Sequence, residues 1–168
     1  MRVELTFSRP RGLSLPQGLV SLRRMKVPEL RSPFVLTGGI YFFARMLDKI
    51  RLHAAGHLPA EYQGNLGSGF DGRTIKFLWI EYPALVERVK EGGTDEEILE
   101  WAFSQGHQPS DTEVEIWNGF MCKNGWKDGA SERLAMRKRE SSLQDRDDIQ
   151  TFFDYIDADE GRDLHPRP

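Results

Sequence analysis

The chain has 168 residues, with 23 Lys and Arg against 26 Asp and Glu and a single Cys. Its net charge of -3, spread over both signs, excludes a general attraction to nucleic acid or anionic lipid, because each requires a basic excess. One cysteine excludes an intrachain disulfide and is typical of a reducing compartment, so we expect a cytoplasmic protein. A run of about 18 apolar residues is absent from the sequence, which excludes a membrane-spanning helix.

Residues 1–24 differ in composition from the rest of the chain, with five Arg, one Glu and no helical period. We expect a disordered basic N-terminal extension there, which either lies upstream of a natural start at Met25 or is a genuine basic arm. Residues 25–163 are predicted to form a single helical domain, because a chain of this length supports one hydrophobic core. Residues 164–168 are predicted to be a flexible tail.

The strongest helical pattern runs from Thr37 to Gly56. Its apolar positions recur at the spacing of one helix face, namely Ile40, Phe43, Ala44, Leu47 and Ile50. Residues 57–75 follow with four Gly and one Pro, a composition that predicts a long Gly-rich loop. A short helix over 74–80 is expected to end that loop.

The middle of the chain carries clear helix boundaries. Pro83 and the pair Gly92–Gly93 bound a short helix. Two capping boxes, Thr94–Glu97 and Ser110–Glu113, each begin a further helix. Successive capped helices of this kind predict a helical hairpin.

The last third of the chain is also predicted to be helical. A charged surface helix is expected over 130–143, and Asp147 or Asp148 is expected to cap a final helix that contains Ile149 and Phe153. No segment alternates as a strand does, so the sequence predicts an all-α fold. We expect a compact single-domain helical bundle of about five to seven helices with a long Gly-rich loop.

Three short motifs resemble functional sites but lack an essential part of each. Gly67–Gly72 has the spacing G-x-G-x-x-G of a dinucleotide-binding turn, which requires a preceding strand. His53 and His57 are four residues apart, but zinc requires a further ligand. Cys122 lies away from the N-terminus of its helix, where a reactive thiolate is expected. The sequence therefore favours a flexible loop, surface histidines and a buried thiol, and it indicates neither a metal nor a cofactor.

Two charged segments have a structural and a functional interpretation. The carboxylates between Asp154 and Asp163 do not follow EF-hand spacing, so a solvated acidic helix end is favoured over a calcium site. The basic side chains between Lys123 and Arg139 lie near Trp126 but alternate with acids. Intrahelical ion pairs are therefore favoured over nucleic-acid binding.

The main candidate site combines the Thr37–Gly56 helix with the Gly-rich loop. It consists of Arg45, Asp48, Lys49, Arg51, Tyr62 and Asp71. Charged groups beside a strongly apolar segment are partly buried, which shifts pKa values and favours pairing. One interpretation is an internal ion-pair network that stabilises the bundle. The other is a ligand site in which Arg45 and Lys49 bind an anion while a carboxylate or Tyr62 handles a proton.

Eight motifs along the chain occur together as a set. They are Gly38–Arg51, Gly56, Tyr62, Phe70–Asp71, Thr94–Trp101, Glu115–Asn118, Gly125–Asp128 and Thr151–Arg162. As a set, over residues 28–162, they resemble a family of small bacterial proteins classed only as a domain of unknown function. The resemblance implies a helical single domain in a bacterial cytosol, and it implies no particular activity, substrate or cofactor. Residues 1–24 fall outside it, which favours Met25 as the natural start.

Two functions fit these observations. The first is a non-catalytic binding or interaction domain, in which some of the four Trp side chains contact a protein partner or a second copy of the chain. The alternative is a small-molecule binding protein or enzyme that takes a small anionic ligand at the candidate site. No catalytic motif is recognisable, so the sequence favours the first function.

Overall fold

The computed structural model describes residues 27–165. Within that range the elements are β1 Leu36–Thr37, β2 Ile40–Tyr41, α1 Phe43–Ala54, α2 Ala60–Gln63, α3 Gly69–Leu78, α4 Tyr82–Lys90, α5 Asp95–Gln105, α6 Asp111–Lys123, α7 Ser131–Glu140 and α8 Phe152–Asp159. The predicted all-α class is confirmed, although the described residues form eight helices and a small hairpin. The predicted extension over residues 1–24 lies outside the described part of the chain.

A β-hairpin precedes α1, so this helix begins at Phe43 and its predicted start at Thr37 is wrong. Strands β1 and β2 pair antiparallel, with Thr37 opposite Ile40. Gly38 and Gly39 connect them with φ values of 53° and 80°. Positive φ at both central residues is the geometry of a two-residue hairpin turn, which glycine adopts without steric cost. The pair therefore forms a turn where the sequence pattern predicted helix.

The Gly-rich segment contains more helix than the sequence predicted. Its second half belongs to α3, which begins at Gly69 and places Asp71, Thr74 and Leu78 on its buried side. A Cβ at Gly72 would lie 3.2 Å from the carbonyl oxygen of Gly67. Glycine at this position lets the preceding loop pack closely against the helix. The high glycine content of this segment therefore reflects the close packing of loop and helix, and not an irregular chain.

Helix α1 lies at the centre of the main hydrophobic core. Phe43, Met46 and Leu47 are fully buried in it. The other buried members come mainly from β2, α3, α4, α5, α6 and α8, and they include Ile40, Leu78, Leu85, Ile98, Met121 and Phe153. Each Å² of apolar surface removed from water contributes about 25 cal/mol, so the burial of these side chains is the main stabilisation of the fold.

Three helices begin with complete capping boxes. The predicted boxes at Thr94 and Ser110 are both present. Helix α8 has a third, in which the Thr151 hydroxyl accepts from the Asp154 N–H at 3.1 Å and the Asp154 carboxylate accepts from the Thr151 N–H at 3.0 Å. The predicted cap at Asp147 or Asp148 is therefore wrong. The helix begins later because a threonine followed three residues on by a carboxylate satisfies two backbone donors.

Gly106 lies where the end of α5 meets the end of α3. A Cβ there would overlap the carbonyl oxygen of Leu78 and lie 2.7 Å from that of Trp79. We expect Gly106→Ala to lower the free energy of unfolding by about 1–3 kcal/mol, because backbone atoms must move apart. Gly119→Ala is the matched control, since a Cβ within α6 meets nothing within 4 Å. Urea denaturation should show the control unchanged or more stable by about 1 kcal/mol, and equal destabilisation would contradict the packing argument.

Candidate functional site

Helix α1 directs its charged side chains to two different sides of the molecule. Arg45 and Lys49, four residues apart, have their ion-pair partners directly after α8 and on α3. Asp48 and Arg51 contact the segment before β1 and the start of α5. Arg45 and Asp48 are only three residues apart, so their spacing does not separate the two groups; the positions of the neighbouring elements do.

Arg45 forms a buried ion pair with Glu160. The two side chains are 4% and 2% exposed. The guanidinium donates to Glu160 Oε1 at 2.5 Å and to Oε2 at 3.1 Å, and also to the carbonyl oxygen of Arg31 at 2.7 Å. This two-point geometry fits a planar guanidinium to a planar carboxylate. Both groups are thereby held in one orientation inside the protein.

Two further groups donate hydrogen bonds to the Glu160 carboxylate. The Tyr62 hydroxyl donates to Oε1 at 2.9 Å, and Arg162 donates to Oε2. Burial raises the pKa of Glu160, but the hydrogen bonds and positive charges of Arg45 and Arg162 outweigh it and hold that pKa below its ordinary value. Glu160 is therefore an ionised carboxylate whose charge is neutralised within the protein.

Lys49, one helical turn after Arg45, pairs with Asp71 on α3. Its ammonium nitrogen donates to Asp71 Oδ1, while Asp71 Oδ2 accepts from the Gly67 N–H at 3.2 Å. Burial lowers the pKa of Lys49 and raises the pKa of Asp71, and it outweighs the attraction between the two charges. The charged form of each group is therefore less favoured than in an ion pair exposed to water.

The ring of Phe42 lies beside this pair, 5.2 Å from Lys49 Nζ. Phe42 is buried and has φ 73° and ψ -20°, in the left-handed region that a bulky residue rarely adopts. Its ring packs against Phe70 at 5.3 Å and Phe153 at 6.0 Å, and these contacts hold the conformation. Such strain concentrates at functional sites.

A cavity of about 190 Å³ opens between α1, the start of α3, α7 and α8. Its wall includes Arg45, Lys49, Tyr62, Ser68, Arg133 and Glu160. Arg133 lies on an exposed face of α7, with its guanidinium 5.1 Å from the ring centroid of Phe152. Because Gly69 and Phe70 also line the cavity, the N-terminus of α3 adds partial positive charge there. The arrangement can hold a small ligand with a negatively charged end.

The predicted site residues divide into two groups. Arg45, Lys49 and Tyr62 line the cavity, and Asp71 lies directly behind Lys49. Asp48 and Arg51 lie elsewhere, in a network with Arg31 and Asp95. The side chains of the two arginines are 36–37% exposed, and those of the two carboxylates are 8–11% exposed. The nitrogen–oxygen distances between oppositely charged groups are 2.6 to 2.7 Å. For Asp48 and Arg51, the contacts fit the interpretation as an internal ion-pair network that stabilises the bundle.

Sequence reasoning assigned Arg133 and Glu160, two further residues of the cavity, to other roles. Arg133 belonged to the basic segment that was assigned to intrahelical ion pairs, and one such pair, Arg137 to Glu140 at 2.9 Å, is present. Glu160 belonged to the predicted solvated acidic helix end, which is wrong because Asp157 and Glu160 are only 2% exposed. Both carboxylates pair with Arg162, and the alternation of apolar and acidic residues along α8 could have indicated their burial.

The other motifs show ordinary environments. His53 and His57 are both exposed, and α1 ends at Ala54, between them. Within residues 27–165, no three His, Cys, Asp or Glu side chains come together as a metal ion would require. Burial raises the pKa of Cys122, which makes its thiol less reactive. In Gly67–Gly72 the helix start follows a turn, not a strand.

Several large apolar side chains are exposed on α6 and at the end of α3. Trp79 is 69% exposed, Ile116 67% and Phe120 48%. Trp117 is largely buried and stacks on Phe77 with ring centroids 4.4 Å apart. The exposed side chains are the ones available to a protein partner or a second copy of the chain. The interaction function stays a prediction.

Comparisons with known proteins give a family match for the chain but no function. A family model described as "Domain of unknown function (DUF5069)" matches residues 27–162. A search of curated proteins found no match to the chain. No helix within residues 27–165 combines the length and apolar character that crossing a bilayer requires.

Proposed function

The chain belongs to this family, whose description names no activity, and we propose that the protein binds a small anion carrying a carboxylate or phosphate group in the cavity. The observation that carries the proposal is that Arg45 and Lys49, both buried, line one wall of the same cavity. Buried cations are rare in proteins unless they are paired or functional. Here they are both paired and next to an open space.

The charges around the cavity favour an anion. Its lining has four cationic side chains and three carboxylates; the cations are Arg45, Lys49, Arg133 and Arg137, and the carboxylates are Glu61, Asp159 and Glu160. Glu160 is already neutralised by two arginines, so it repels an anion little. Arg133 lies on the exposed side of α7, where it adds positive charge at the opening, whereas the charge of Arg137 is paired with Glu140. A planar guanidinium also binds carboxylate and phosphate oxygens in pairs.

The size of the cavity limits the ligand. At about 190 Å³ it is smaller than the roughly 300–1,000 Å³ of pockets that hold drug-sized molecules. A ligand of a few non-hydrogen atoms fits this volume, whereas a nucleotide does not.

We place this binding in the cytoplasm, which the single Cys of the chain supports.

Replacing Arg133 tests the proposal without disturbing the core. We expect Arg133→Gln to weaken binding of pyruvate or inorganic phosphate about 10-fold to 100-fold, the value of one hydrogen bond to a charged group. Isothermal titration calorimetry at low ionic strength measures the change. Arg139→Gln is the matched control, because Arg139 is exposed on the same helix and does not line the cavity. Equal effects of the two variants, or no saturable binding to the wild-type protein, would refute the proposal.

A further inference from the structure

We propose that Lys49 is a carbonyl-reactive amine that forms an imine with a small 2-oxo acid bound in the cavity. This inference rests on the proposed anion binding and names the class of ligand. It starts from the position of Lys49, in the middle of α1 and at the cavity wall, with 5% of the residue exposed. Lys49 is therefore removed from bulk water and still lines a space that a small molecule can enter.

The contacts of Lys49 allow a neutral amine in equilibrium with the ion-paired ammonium. Its nitrogen donates to Asp71, which is 0% exposed, and lies beside the ring of Phe42. Arg45, one helical turn away, adds repulsion that opposes a positive charge on Lys49. Burial lowers the pKa of Lys49 and raises the pKa of Asp71, and both shifts favour the form with a free amine and a protonated Asp71. An exposed lysine with a pKa of about 10.4 has an uncharged amine in only about one molecule in 2,500 at pH 7.

The other groups of the cavity match the rest of a 2-oxo acid. Arg133 and the N-terminus of α3 provide positive charge for its carboxylate. The Tyr62 hydroxyl lines the cavity and is held by Glu160 at 2.9 Å. Because its proton is donated to Glu160, its oxygen can accept a hydrogen bond from the hydroxyl group that forms when the amine adds to the carbonyl. A metal ion is not needed for this chemistry.

The reaction balances with the groups present. The Lys49 nitrogen lone pair attacks the ketone carbon, and the carbonyl electron pair moves to oxygen. The amine protons pass to that oxygen through solvent and neighbouring groups, and it leaves as water when the carbon–nitrogen double bond forms. Asp71 in its protonated form then transfers its proton to the imine nitrogen. The products are one water molecule and a cationic imine paired with the Asp71 carboxylate, so charge and atoms are conserved.

A purely structural ion pair is the competing explanation. Such a pair would stabilise the contact between α1 and α3 and would make no covalent adduct. The strained backbone of Phe42, which places its ring beside Lys49 Nζ, is not needed for a contact between two helices. Strain of that kind is consistent with positioning of a functional group.

Reductive trapping distinguishes the two explanations. The full chain is incubated with pyruvate and borohydride, digested and mapped by mass spectrometry. We expect one carboxyethyl adduct per chain on the peptide that contains Lys49, and none on that peptide with lactate, which has no carbonyl group. Lys76, an exposed lysine on α3, is the internal control and should remain largely unmodified.

Variants and binding measurements make each outcome decisive. Lys49→Arg should lose the adduct while Lys76→Arg keeps it, and circular dichroism reports whether each variant is folded. If Lys49→Arg does not fold, the position of the adduct in the wild-type protein decides. Adducts spread evenly over exposed lysines would overturn the inference. Pyruvate binding in calorimetry without an adduct would overturn the inference and leave the proposed function intact, whereas no binding by pyruvate or phosphate would overturn both.

Discussion

Glu160→Gln is expected to lower the free energy of unfolding by about 3–5 kcal/mol, as the loss of one partner from a buried ion pair does. Glu160 is 2% exposed and accepts from Arg45, Tyr62 and Arg162. Without its charge, the buried Arg45 guanidinium faces a neutral amide. Urea denaturation followed by tryptophan fluorescence measures the change.

An exposed ion pair provides the matched control for this variant. Glu140 pairs with Arg137 at 2.9 Å, and both side chains are about half exposed, at 51% and 52%. Water screens such pairs, so Glu140→Gln should change the stability by less than about 1 kcal/mol. If Glu160→Gln also lowered the stability by less than about 1 kcal/mol, the buried network would contribute little.

The same contacts predict an acid dependence of known sign. The pKa of Glu160 in the folded protein lies below its ordinary value of 4.5, because Arg45 and Arg162 favour its charged form. Its contribution to stability is therefore complete above that ordinary value and is lost as the pH falls through the lower folded-state pKa. Asp71 acts in the opposite sense, since burial raises its pKa. The difference in unfolding free energy between wild type and Glu160→Gln should shrink as the pH falls.

Phe153→Ala is expected to destabilise the protein by about 3–5 kcal/mol, the usual range for removing a large aromatic side chain from a core. Phe153 is fully buried, and its ring lies 5.1 to 6.2 Å from those of Phe34, Tyr41, Phe42 and Phe70. The space left by its ring cannot be refilled without moving several aromatic neighbours. Chemical denaturation measures the loss.

The effect should extend to the cavity, because Phe42 and Phe70 line it and both rest on Phe153. We therefore expect Phe153→Ala to weaken anion binding even at a temperature where the variant remains folded. Phe120→Ala is the control, since Phe120 is 48% exposed. It should lose much less stability and bind normally. Equal losses for the two variants would contradict the assignment of Phe153 to the centre of the aromatic cluster.

Much of the local structure was predictable from residue patterns. The boxes at Thr94 and Ser110 depend on side chains three residues apart, and they form as predicted. The amphipathic spacing in α1 likewise indicated that Phe43, Leu47 and Ile50 are buried. These features are local because their hydrogen bonds and faces are set within one or two helical turns.

Other local features depended on contacts that no short pattern contains. The pair Gly38–Gly39 fits a helix interior poorly and a hairpin turn well, but the turn is fixed by Asn118, which donates to the Gly39 carbonyl oxygen at 2.7 Å and accepts from the Tyr41 N–H at 3.0 Å. The start of α3 similarly depends on the approach of Gly67 to Gly72. Tertiary packing decided both elements.

The sequence by itself determined that α1 would combine a buried apolar face with Arg45, Asp48, Lys49 and Arg51, since that combination depends only on spacing. The tertiary structure alone decided which of these charges meet a cavity and which form a partly exposed ion-pair network. Arg45 finds its partner Glu160 115 residues later in the chain. The pairing of such distant groups is set by how helices pack around a common core, and helical periodicity carries no information about that packing.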